Sequence, residues 1–156
     1  MLWMVEDARQ RTLSLLEGLE GVALDWTPPY APNTIGSLLY HIAAIEADWL
    51  YVEVLQVSFP PAIEALFPYP VRDEAGRLFA VKGLSITEHL DRLTTVRNAL
   101  LTGFRDMSAE DFRRVRHFPD QYDVTPQWVL HHLLQHEAEH RGQIGELRGG
   151  AEATAQ

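Results

Sequence analysis

The chain contains no cysteine among its 156 residues, which excludes structural disulfides, cysteine-rich zinc sites and cysteine nucleophiles together. Any metal must therefore be held by His, Asp or Glu. It also lacks an apolar run near the roughly 18 residues that span a bilayer. The opening residues, Met1-Leu-Trp-Met-Val-Glu-Asp-Ala-Arg, have no basic stretch ahead of an apolar core. A soluble, cytoplasmic protein without membrane partners is expected. Positive charge is short as well: the formal net charge of −9 repels phosphate backbones, so nucleic acid is not an expected partner. The one basic cluster, Arg113, Arg114 and Arg116, is interleaved with acidic neighbours and reads as a solvated face.

What is present is helical. A chain of this size buries roughly two thirds of the surface that its unfolded form exposes, enough for one domain without staples. Four stretches have helical periodicity, separated by segments rich in proline and glycine. The first is expected from Leu2 to Leu19, carried by Val5, Ala8, Thr12, Leu15, Leu16 and Leu19 and stopped near Gly18 and Gly21. The second starts behind Asn33 or Thr34 as cap and runs to about Val57, ahead of Pro60 and Pro61. Residues 58–84 read as an irregular connection with a turn at Asp73 to Gly76. The third helix opens on the capping-box pair Ser85 and Glu88 and reaches about Phe104, and Ser108 with Asp111 predicts a further short turn. The fourth has Thr125 as cap, Pro126 in first position and Gly149-Gly150 as stop. The count gives an all-α four-helix bundle over residues 1–150, followed by a flexible tail over 151–156.

The chemistry concentrates in the histidines. At about 100° per residue, His132, His136 and His140 share one face of the last helix, and four-residue spacing brings two imidazoles to one point. His131 points elsewhere. His41 lies in the inward stripe of the second helix and is the natural third ligand, leaving a coordination position open as catalytic sites do. Burying several imidazoles costs stability unless something satisfies their nitrogens. Asp48, two turns after His41, is a candidate to orient a ligand. His136-Glu137-Ala138-Glu139-His140 also fits the short zincin pattern, with Glu137 a candidate to contact water at the ion, although no third histidine follows. Arg97 interrupts the apolar stripe of the third helix and either anchors an anionic substrate group or pairs with a buried carboxylate such as Asp48.

The segments Ala31-Pro-Asn-Thr-Ile-Gly-Ser-Leu-Leu-Tyr-His-Ile-Ala-Ala-Ile-Glu-Ala-Asp-Trp and Trp128-Val-Leu-His-His-Leu-Leu-Gln-His-Glu-Ala-Glu-His-Arg-Gly-Gln-Ile resemble the two signature stretches of the DinB-like proteins. The resemblance implies a bacterial DinB/YfiT-like bundle of up-down-down-up order, often a homodimer, with a metal on His41, His136 and His140. It also implies a metal-dependent enzyme acting on a small molecule, since characterised members are bacillithiol transferases and mycothiol-dependent maleylpyruvate isomerases. The expected cofactors are one divalent transition metal, zinc or nickel, and a low-molecular-weight thiol, which this cysteine-free chain must take from solution. The expected reaction is thiol S-transfer or hydrolase-like chemistry, with Trp26 and residues 58–84 shaping the pocket. The alternative is a non-catalytic metal-binding or stress-responsive module, favoured if His132 completes the coordination.

Overall fold

In a computed structural model that describes residues 1–19, 21–29 and 32–154, local sequence signals set most element boundaries. Helix α1 (Leu2–Ser14) is shorter than its periodicity predicts. Leu15, Leu16 and Leu19 follow in tight turns with i to i−3 bonds, and Gly18 at φ +72° reverses the chain. Their apolar side chains reach the core without a helix. A short helix, α2 (Gly21–Asp25), follows.

Helix α3 (Ile35–Asp48) begins where Thr34 accepts from the Ser37 amide. It widens into a π-helical turn over Trp49–Val54 and ends well before Pro60. The connection 58–84 contains one short helix, α4 (Pro61–Glu64), and the expected turn, where the Gly76 amide bonds the Asp73 carbonyl at 2.9 Å. Helix α5 (Ile86–Arg105) has both halves of the Ser85 and Glu88 capping box. Helix α6 (Ala109–Arg113) is capped by Ser108.

An antiparallel hairpin, β1 (Arg116–Phe118) and β2 (Tyr122–Val124), was not foreseen and leads into α7. Arg116 is buried rather than solvated: it donates to the Val54 carbonyl and pairs with Asp111, pinning the hairpin to the π-helical turn. Helix α7 (Pro126–Thr154) starts as expected but runs through Gly149-Gly150. The two glycines cost about 1 kcal/mol each. Buried Ala151 and the bonds of Arg148 to the carbonyls of Leu15 and Glu17 and to Glu152 offset that loss. Residues 151–154, expected in a tail, are therefore helical, while 155 and 156 lie outside the described residues.

The long helices α1, α3, α5 and α7 form the bundle. Gly36 meets His89 and Leu50 meets Gly103, so α3 and α5 run the same way. Ala8 meets Arg141 and Leu15 meets Arg148, so α1 and α7 do too. The pairs are mutually opposed: Arg9 reaches Leu93 while Arg97 reaches Val5, and His41 faces His136 while Trp49 faces Trp128.

Two apolar layers fill this frame. One gathers Leu16, Leu24, Ile35, Leu39, Leu93 and Ile144; the other gathers Val5, Leu50, Leu100, Phe104, Val129 and Leu133. Charged and imidazole side chains occupy the level between them. Among the described residues no helix is long and apolar enough to cross a membrane.

Candidate metal centre

Three histidines from two opposed helices converge on one point between the apolar layers. His41 on α3 is 4 % exposed, and His136 and His140 on α7 are half-buried. His136 Nε2 stands 3.1 Å from His41 Nε2 and 3.1 Å from His140 Nε2. Metal–nitrogen bonds of about 2.1 Å put ligand nitrogens about 3.4 Å apart at tetrahedral angles and about 3.0 Å apart at right angles. Both spacings fall between those values, and the ligand atoms of all three histidines lie within 4.8 Å of one another, so the group could hold one ion.

Hydrogen bonding alone cannot satisfy this set. His140 Nδ1 lies 2.7 Å from Gln143 Oε1, an acceptor, so in the neutral ring the proton sits on Nδ1 and Nε2 is a bare lone pair. His136 Nε2 can carry at most one proton for its two imidazole neighbours. Burial, then the neighbouring His140, pushes His41 down to about 4. Burial, with His140, His41 and His132, pushes His136 down to about 3. Both rings are neutral at pH 7, the form that ligates. His41 Nδ1 is buried without a partner among the described residues, so on that side of the ring packing rather than a polar contact holds it.

The other sequence candidates lie elsewhere. His132 is sandwiched between Trp49, at 4.7 Å, and Trp128, stacked at 5.0 Å, and does not join the group. Asp48 makes no hydrogen bond to the histidines; its charge is felt by Glu53 and Tyr122, and burial raises its pKa. Glu137 is turned about 100° from His136 by the helix and faces the bundle centre. Both its oxygens accept from Arg9 and Arg97, so it is not free to contact water at the ion, and the zincin reading loses its general base. Arg97 does pair with buried carboxylates, but these are Glu46 and Glu137 rather than Asp48.

Residues 58–84 flank His41: Phe67, Val71 and Phe79 pack on Tyr40 and Ala44, and Arg72 is close enough to His41 to lower its pKa further. Trp26 instead lines a groove with Leu19, Val22 and Ala151 away from the histidines. Arg9, Glu46 and Gln143 were not singled out beforehand as partners in this region. The first two were legible, because Arg9 falls four residues after Val5 and Glu46 four after Ile42, on inward stripes.

Comparison with known proteins agrees with this architecture. The DinB superfamily matches residues 4–144. The crystal structure of a conserved protein from Enterococcus faecalis superposes with a TM-score of 0.73 at 17 % identity, covering 94 % of this chain and 92 % of that one. That likeness concerns the fold alone. No curated protein matches the sequence.

Proposed function

This chain belongs to the DinB superfamily, and from that we propose that it is a metal-dependent enzyme that uses His41, His136 and His140 in thiol transfer or hydrolysis on a small molecule. The observation that carries the reading is the convergence of three Nε2 atoms, two of them on rings held neutral, in a chain without cysteine. The three imidazoles would hold a divalent ion such as zinc or nickel, which would lower the pKa of water or of a small thiol and so supply a nucleophile at neutral pH.

The chain's own groups prepare that position. Gln143 fixes the His140 proton on Nδ1 and so aims the Nε2 lone pair at the shared point. Neutral His41 and His136 offer lone pairs without first releasing protons. Beside His136, the rings of His132, Trp49 and Trp128 form a continuous aromatic surface, with Trp128 46 % exposed, which supports a small organic substrate resting there.

The test is turnover by protein purified without a tag and loaded with zinc or nickel. A small thiol is offered with a chloronitroarene, where sulfur–carbon bond formation releases chloride, and a nitrophenyl ester is offered separately for hydrolysis. Turnover by the wild type that His41→Ala abolishes is the expected result. A metal-loaded wild type no faster than His41→Ala on either substrate class would overturn the enzyme reading in favour of a non-catalytic binding module.

A further inference from the structure

The level between the two apolar layers holds a closed ring of four charges, one from each long helix. Arg9 of α1 donates from Nε to Glu137 Oε1 and from Nη2 to Glu46 Oε2, each at 2.7 Å. Arg97 of α5 donates from Nε to Glu46 Oε1 at 2.7 Å, and from Nη2 to Glu46 Oε2 at 2.8 Å and Glu137 Oε2 at 2.7 Å. The remaining guanidinium donors are taken by backbone: Arg9 Nη1 by the Leu93 carbonyl and Arg97 Nη1 by the Val5 carbonyl. No member is more than 6 % exposed, and the ring is electrically neutral.

Its carboxylates sit on the two helices that carry the imidazoles. Glu46 follows His41 by five residues on α3, and Glu137 lies between His136 and His140 on α7. Without the arginines these buried anions would push α3 and α7 apart. Each arginine instead bridges both, so the separation and register of the two helices are fixed by these seven charged and carbonyl contacts of defined direction. Apolar packing tolerates small slides, whereas forked guanidinium–carboxylate pairs do not. Stability is a poor explanation for such a ring, because buried ion pairs are often replaced by well-packed apolar groups at no cost.

We infer that Arg9, Glu46, Arg97 and Glu137 are positioning residues that hold His41 of α3 in register with His136 and His140 of α7. The inference rests on the reading of the triad as a metal site only for its consequence, metal affinity. The register itself is open to a metal-free measurement. Nuclear Overhauser contacts between the His41 and His136 rings report register directly in the metal-free protein, and competition against a chromophoric chelator reports zinc affinity.

The decisive variant replaces the ring by apolar groups of similar size: Arg9→Met, Glu46→Leu, Arg97→Met and Glu137→Leu together. It is expected to fold with wild-type helicity and cooperative melting, to lose the His41–His136 contacts, and to bind zinc at least tenfold more weakly. A folded variant that keeps those contacts overturns the inference. If the fourfold variant does not fold, Arg97→Lys decides, since it keeps the charge but not the fork: weakened ring contacts support the inference and unchanged contacts overturn it. A wild type that shows the contacts yet takes up no zinc sinks the metal reading and leaves the positioning role to the contacts alone.

Discussion

Replacing Gln143 by leucine isolates the one side chain that orients a proposed ligand. The substitution removes the Oε1 acceptor 2.7 Å from His140 Nδ1 and leaves the ring free to rotate or to change tautomer. Loss of such an outer partner typically weakens metal binding 10- to 100-fold, or about 1.4–2.7 kcal/mol. Gln143 is exposed and His140 only half-buried, so water replaces part of the lost bond. The effect belongs at the lower end, about tenfold or 1.4 kcal/mol. Gln143→Glu keeps an acceptor and adds charge, which raises imidazole basicity, so it should bind at least as tightly as the wild type. Competition against a chromophoric zinc chelator measures all three proteins, and thermal melting of the metal-free forms controls for folding. Leucine and glutamine proteins of equal affinity would refute the reasoning, as would a loss of affinity matched by a loss of metal-free stability.

Three other perturbations test the frame around the site. His89 is 2 % exposed, and burial, then Arg92, lowers its pKa from 6.5 to about 4. The folded state keeps it neutral while the unfolded state protonates it. Its contribution is therefore complete above pH 6.5 and lost as pH falls through 6.5 toward 4, up to about 3 kcal/mol in all. The difference in unfolding free energy between wild type and His89→Gln should shrink across that window, and a difference independent of pH would contradict the assignment. Tyr122→Phe removes the hydroxyl that donates to Glu53 Oε1, while Glu53 Oε2 has no partner among the described residues, and should cost about 1–3 kcal/mol in denaturant titrations. Ser85→Ala removes the hydroxyl that accepts from the Glu88 amide, leaves the backbone half of the α5 capping box in place, and should cost about 1 kcal/mol, a fall in Tm of about 2–4 °C.

The triad was legible because helical spacing alone puts His136 and His140 together, and because His41 interrupts an apolar stripe. The starts of α3, α5 and α7 were legible for the same kind of local reason: Thr34, Ser85 and Thr125 each accept from a first-turn amide. What escaped were outcomes decided by tertiary contact. Gly149-Gly150 should end a helix by propensity, but Arg148 and Ala151 anchor α7 against the turn after α1. Glu137 sits in a motif that names it a base, yet the direction of its side chain depends on where Arg9 and Arg97 arrive from other helices. Asp48 shares a stripe with His41 but is carried toward Glu53 and Tyr122, where the helix widens into its π-helical turn.

The central claim is that the three imidazoles hold one ion. Elemental analysis combined with native mass spectrometry, on protein dialysed against zinc or nickel without a tag or chelator, tests it most directly. The account predicts about one ion per chain in the wild type and none in His41→Ala or His140→Ala at equal helicity. A folded wild type that takes up no ion, or a stoichiometry unchanged when all three histidines are replaced, would contradict it.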